Sequence, residues 1–152
     1  MATSFTDGAA YERLMGRWSR RVAGPFLDWL APPPGLDWID VGCGNGAFSE
    51  EVIARTGPTR LLGIDPAPDQ IAFAKTRLGH SDLADFALGD AQALDLPDDS
   101  FDVAAMALVL AFLPDPAQGV REMARVVRPG GLVAAYMWDM PGGGVPLRPH
   151  VP

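Results

Sequence analysis

Residues 37–46, Asp-Trp-Ile-Asp-Val-Gly-Cys-Gly-Asn-Gly, hold the densest chemistry in the sequence. An apolar run (Trp38, Ile39, Val41) carries an acid at Asp40 and then breaks into glycines at 42, 44 and 46. Such a run reads as a buried strand. Glycines at Gly42, Gly44 and Gly46 let the backbone turn tightly and approach a ligand with no Cβ in the way. Residues 47–54 then read as a helix, so a strand ends in a glycine loop at a helix N-terminus, where nucleotide-like ligands sit in α/β folds. Two further acids follow at strand ends. Asp65, in Gly63-Ile-Asp65, can accept two hydrogen bonds from a ribose diol. Asp90, in Gly89-Asp-Ala91, can accept from an adenine amino group while a backbone amide donates to the ring. Each acid can instead cap a turn or the next helix, the common fate of a lone Asp in such a loop. Three acids ending three successive strands, the first in a glycine loop, favour a ligand.

The elements that must position these groups alternate in type. Asp7 can cap a helix over 9–22, in which Tyr11, Leu14, Met15, Trp18 and Val22 share one face. Gly24-Pro25 interrupts it, a short helix over 25–30 follows with Pro at its first position, and 31–35 (Ala-Pro-Pro-Pro-Gly) is a stiff connector. Strands are expected over 37–41, 60–64, 84–88, 102–110 and 132–138, although the apolar run of the fourth cannot by itself be told from a buried helix. Helices are expected over 47–55, 68–78 and from Asp115-Pro116 to Val127, stopped in turn by Gly57, Gly79 and Pro129-Gly-Gly131. Regular βα alternation predicts an α/β fold, a doubly wound Rossmann-like parallel sheet of about five strands with helices on both faces. The chain divides into an N-terminal helical segment (1–36), the Rossmann-like domain (37–139) and a Pro/Gly-rich tail (140–152).

Composition narrows the function. A chain of 152 residues fits one domain. Its net charge of −7 argues against a nucleic-acid backbone as partner, because counterion release needs a basic face. Cys43 is the only cysteine, so no intrachain disulfide or zinc site is expected. No apolar run is long enough to span a membrane and no signal-peptide pattern opens the sequence, which leaves a cytoplasmic location as the default.

Taken in order, Asp40-Val-Gly-Cys-Gly-Asn-Gly46, Gly63-Ile-Asp65, Gly89-Asp-Ala91, Ser100-Phe-Asp102 and Arg128-Pro-Gly-Gly131 resemble the motifs of class I S-adenosylmethionine-dependent methyltransferases. The similarity spans about 37–139 and is closest to the small-molecule branch that includes quinone-biosynthesis methyltransferases. The resemblance implies S-adenosyl-L-methionine as cofactor, S-adenosyl-L-homocysteine as product and a small-molecule methyl acceptor. It implies that Gly42, Cys43, Gly44 and Gly46 pack against the methionine and ribose portion, with Cys43 a small filler. Asp40 would organise the loop or bind the ammonium through water. Asp65 would take the ribose hydroxyls, with Pro66 against the adenine and Gln70 near it. Asp90, the Ala91 amide and Gln92 would read the adenine edge, and Ala107 and Leu108 would complete the methionine pocket.

The nearest competitor is an NAD-dependent oxidoreductase, since Gly42-x-Gly44-x-x-Ala47 formally satisfies the dinucleotide pattern. Asp40 counts against it: an anionic pyrophosphate is repelled there, whereas an ammonium and a sulfonium are tolerated. In related enzymes an N-terminal helix lids the cofactor. Here Arg17 could pair with the methionine carboxylate, and Tyr11 or Trp18 could set an aromatic face near the sulfonium. Alternatively Tyr11 and Trp18 pack on the core, and Arg17, Arg20 and Arg21 are a solvated face.

No general base stands out. His80 reads as a surface-loop residue and His150 lies in the tail; Tyr136 and Asp139 fall near the expected mouth. The Asn/Asp-Pro-Pro-Tyr signature of base amino-methylation is missing after strand four. The family's complete fold adds a C-terminal strand pair beyond strand five, which is not found here. A cofactor-binding but non-catalytic or truncated domain is therefore the alternative reading. Strand five would be an apolar edge open to self-association.

Overall fold

The structure is a computed structural model that describes residues 16–139 and 141–142. Its elements run α1 (Arg17–Leu30), β1 (Asp37–Val41), α2 (Ala47–Thr56), β2 (Arg60–Asp65), α3 (Pro68–Leu78), β3 (Ala84–Leu88), β4 (Phe101–Ala107), a 3-10 turn (Leu110–Phe112), α4 (Pro116–Val126) and β5 (Val127–Tyr136). The strands form one sheet in the order β3-β2-β1-β4-β5, and all its pairings are parallel. The order reverses between β1 and β4, so a crevice opens beyond the carboxyl ends of those two strands. Among the described residues no helix is long and apolar enough to cross a membrane.

The period-two alternation of the strands sorts their side chains onto two cores. Trp38, Leu61, Phe86, Val103 and Ala105 face α1, α2 and α3, joining Ala23, Phe26, Leu27, Phe48, Val52, Ile71 and Ala74. Ile39, Val41, Ile64, Ala104 and Met106 face α4 on the other side, with Met123, Val126, Ala91 and Leu94. Asp40 shares the face of Trp38, two residues on, so its carboxyl is carried under α2. That placement decides its role below.

Three expectations change. The helix does not break at Gly24-Pro25: α1 runs through both, with Pro25 inside it. Proline removes the bond to the carbonyl four residues earlier, here that of the exposed Arg21, where water can serve. Burial of Ala23, Phe26 and Leu27 on either side holds the helix together. Strand four ends at Ala107 rather than 110, because Leu108 turns into the left-handed region at φ +61°. Strand five begins at Val127, directly after α4, and ends at Tyr136. Its ladder with β4 is interrupted between the Phe101–Val127 and Val103–Leu132 pairs, where Pro129-Gly-Gly131 bulges out.

The two distal motifs meet at the amino end of the sheet. Arg128 donates to the Asp102 carboxylate (2.9 Å) and the Ser100 carbonyl (3.0 Å). Asp102 also accepts the Asp37 amide at 2.8 Å. That amide, ahead of the Arg128 guanidinium, holds the Asp102 carboxyl below the usual carboxylate range. This brace ties β1, β4 and β5 together at the end away from the crevice.

Candidate functional site

A cavity of about 290 Å³ lies at the carboxyl ends of the strands. The glycine loop forms its floor. Gly42 and Gly44 lie at φ +76° and +53°, the left-handed region that favours glycine. The Gly42 and Cys43 amides both donate to the Ile64 carbonyl, at 2.7 and 3.0 Å, which pins the loop across β2. Val109, delivered by the turn at Leu108, packs directly on Gly42: a Cβ there would lie 2.6 Å from Val109 Cγ2. Nothing lies within 4 Å of where a Cβ on Gly44 would point, so that position leaves space for a ligand.

Asp65, the last residue of β2, lines the cavity and braces it. Its Oδ2 accepts the Gly44 amide and its Oδ1 the Ala67 amide, both at 2.9 Å. Burial pushes its carboxyl up, and these two amides pull against that. Each carboxylate oxygen has a second lone pair for a ligand hydroxyl. Asp90 also lines the cavity, while its Oδ1 accepts the Gln92 amide at 2.8 Å, a side-chain turn. The turn-forming and cavity-facing roles therefore coexist at Asp90. Pro66, Gln70, Ala91, Ala107 and Leu108 complete that wall, with Gln70 buried.

Asp40 lies beneath the loop and outside the cavity wall, fully buried. Ser49, on the first turns of α2, donates to its Oδ2 at 2.6 Å. Burial pushes the Asp40 carboxyl up to about 7, the Ser49 hydroxyl opposes this, and nearby Asp65 adds to it. The same burial, with Asp40 and Asp65 beside it, raises the Cys43 thiol well above its usual range. An acid whose folded value exceeds its ordinary 3.8 binds its proton more tightly in the native state. Stability is therefore expected to fall as pH rises from about 4 to about 7 and to level off above. Asp40→Asn should remove most of that slope in urea-unfolding curves. Part will remain, because Asp65 is shifted in the same direction. An unchanged slope in the variant would refute the assignment.

Other residues singled out from the sequence fall elsewhere. Gln92 does not line the cavity; its side chain accepts the Asp115 amide and its carbonyl accepts from Gln118, tying the loop to α4. Arg17 is exposed, and its guanidinium and that of Arg21 lie over the Trp18 ring at 5.4 and 5.5 Å. Neither Arg17 nor Trp18 lines the cavity. Tyr11 lies outside the described residues. The α1 residue that does reach the cavity is Ser19, which sequence reasoning passed over. Also unanticipated were Phe48, on α2, and Val109, Phe112 and Leu113, which follow β4. Tyr136 packs with Phe26 (ring centroids 4.6 Å) and Phe48 (6.0 Å) rather than standing at the mouth.

The wall is therefore divided. Asp65 and Asp90 supply carboxylates on the β2–β3 side, while Ala107, Leu108, Val109, Phe112 and Leu113 make the β4 side apolar. The arrangement suits a ligand with hydroxyl and amino donors at one end and an apolar partner at the other. Among the described residues no group of His, Cys, Asp and Glu is placed to hold a metal ion.

Comparison with known proteins agrees. A family model described as a methyltransferase domain matches residues 39–135. A 2-methyl-6-phytyl-1,4-hydroquinone methyltransferase of Synechocystis sp. is 40% identical over 114 residues, which make up 74% of this chain and 35% of that protein. An S-adenosylmethionine dependent methyltransferase from Mesorhizobium loti superposes with a TM-score of 0.65 and 32% identity, covering 72% of this chain and 51% of its own. The [4+2]-cyclase SpnF superposes with a TM-score of 0.67 and 31% identity, covering 75% of this chain and 43% of its own. The chain thus spans between about a third and a half of the length of these proteins.

Proposed function

Because the chain belongs to the methyltransferase domain family, whose cofactor is S-adenosylmethionine, we propose that it binds this cofactor in the cavity and serves methyl transfer to a small, largely apolar acceptor. The observation that carries the reading is Asp65: a carboxylate at the end of β2, braced by two backbone amides and facing a cavity floored by glycines. The donor set fits. Asp65 would accept the ribose hydroxyls, and Asp90 with the Ala91 amide would meet the adenine edge. The open space at Gly44 would admit the ribose and methionine portion. Gly42, Cys43, Pro66, Gln70, Ala107 and Leu108 would form the surrounding wall; Gly46, expected there from the sequence, instead packs toward Ala74 and Phe86 outside it.

The bound cofactor supplies a methyl group on a sulfonium, already activated for displacement. The protein then has to align the acceptor and exclude water. Val109, Phe112 and Leu113 offer an apolar approach for that acceptor, with Phe112 59% exposed at the mouth. Among the described residues the β4 side of the cavity wall carries no ionisable side chain, so the reading calls for an acceptor that can lose its proton to water. The relative named for a phytyl hydroquinone supports an acceptor of that apolar character.

A second reading, cofactor binding without methyl transfer, draws support from the apolar acceptor side and from the likeness to a protein named as a cyclase. The reading includes a cytoplasmic location, where a free thiol such as Cys43 stays reduced. It also includes pairing of β5 with a second copy. Among the described residues β5 pairs only with β4 and exposes Val133; a light-scattering mass of one chain would overturn that part.

Calorimetric titration with S-adenosylhomocysteine, with NAD as control, tests the cofactor. Saturable one-to-one binding of the first and none of the second is expected. A folded chain that prefers NAD, or binds neither, refutes the proposal. Turnover of a hydroquinone and phenol panel then separates the two readings.

A further inference from the structure

Ser19 is the α1 residue that enters the cavity wall, and among the described residues nothing bonds its hydroxyl. The residue is only 7% exposed, its Oγ is buried, and no partner among the described residues reaches it. A buried hydroxyl left unpaired is destabilising. The conformation is therefore costly for the empty protein unless a ligand group completes it. We propose that Ser19 Oγ is a binding group for the charged amino-acid end of the cofactor. This rests on the cofactor reading above.

Location selects the end. Ser19 lies two turns before Phe26, on the same helix face, and the Phe26 ring meets that of Phe48 on α2 at 6.0 Å between centroids. It is thereby carried to the first turn of α2, where Ala47 and Phe48 also line the cavity. Asp65 and Asp90, suited to the ribose and adenine, stand at the ends of β2 and β3 instead. The first N–H groups of a helix lack intrahelical acceptors and carry partial positive charge, which favours a carboxylate. The Ala47 amide is taken by Asn45 Oδ1 at 3.2 Å, and the next amides of the ten-residue α2 follow it. A hydroxyl donor from α1 on one side and a helix N-terminus on the other make a site for the methionine carboxylate. Asp40 lies beneath the same loop but outside the cavity wall, so the proposal rests on Ser19 and the first turn of α2.

The test compares Ser19→Ala with the native chain by calorimetry against two probes. S-adenosylhomocysteine carries the amino-acid end; 5′-methylthioadenosine keeps the adenosine and sulfur but lacks the carboxylate and ammonium. A hydrogen bond to a charged group predicts that the variant loses roughly tenfold or more in affinity for the first probe and stays within about twofold for the second. The empty variant should melt no lower than the native chain, since it discards an unpaired buried hydroxyl. Unchanged affinity for S-adenosylhomocysteine, or an equal loss for both probes with a lowered melting temperature, overturns the proposal. Failure of the native chain to bind either probe would instead remove the cofactor reading itself.

Discussion

Replacing Asp65 with alanine is expected to reduce affinity for S-adenosylhomocysteine by a factor of about 100 or more and to lower the melting temperature of the empty protein. Two separate losses add. The ligand loses its acceptor for two hydroxyls, and hydrogen bonds to a charged group contribute about 1.5–3 kcal/mol each. The fold loses the carboxylate that accepts the Gly44 and Ala67 amides. Each partly buried N–H left without a partner costs about 1–3 kcal/mol, and in a domain of this size such a cost lowers the melting temperature by several degrees. Asp65→Asn separates the two effects. Its single carbonyl oxygen can keep one backbone brace but cannot accept symmetrically from a diol, so melting should recover more than affinity does. If both substitutions leave calorimetric affinity intact, the diol does not sit at Asp65 and the orientation of the ligand must be reversed.

Gly42→Ala and Gly44→Ala should fail in different ways, although the two glycines are separated by a single residue and both have positive φ. A left-handed L-residue costs about 1–2 kcal/mol at either site. At Gly42 the new methyl would also overlap Val109, 2.6 Å from one of its methyls and 2.8 Å from the other, and overpacking adds about 1–3 kcal/mol. Gly42→Ala should therefore be the more destabilised protein, and Val109→Ala in the same chain should return part of the loss. Gly44→Ala meets no protein atom within 4 Å; its stability loss should stay near the conformational cost, while its methyl intrudes on the ligand's space and lowers affinity by about tenfold or more. Urea midpoints and calorimetry on the three variants decide. Equal destabilisation by the two single substitutions, or no recovery with Val109→Ala, would contradict the interlock between glycine loop and β4 turn.

Much of this frame was legible from residue types alone. β1 and β3 run where the apolar stretches predict, and Asp115 caps α4 through the Gln118 amide as its position suggests. The glycine loop and the acids ending β2 and β3 converge on one cavity, because parallel strands present their carboxyl ends together. What could not be read depends on contacts distant in sequence. α1 survives Pro25 because the freed carbonyl belongs to an exposed residue, Arg21, and the helix is buried on both sides of it. Leu108 takes a conformation rare for leucine, in a turn whose amide is held by the Tyr136 carbonyl at 2.9 Å. Composition hints at neither. The choice of Ser19 over Arg17 or Trp18 is a matter of helix phase, set by how α1 lies on α2 and not by which side chain has the more suggestive chemistry. The burial of Asp40 follows from strand alternation, yet its partner Ser49 could be named only once α2 was docked.

The brace of Arg128, Asp102, Ser100 and Asp37 lies at the opposite end of the sheet from Val109, Phe112 and Leu113. The brace joins three strands at one end, while the face proposed for the acceptor is formed at the other, by a few residues between β4 and α4. Such a division lets a lineage diversify. The exposed Phe112 can be exchanged to admit a differently shaped acceptor without touching the ionic clamp or the packing of Val109 on Gly42. Acceptor preference and strand order can therefore be varied independently, by substitutions at opposite ends of one sheet.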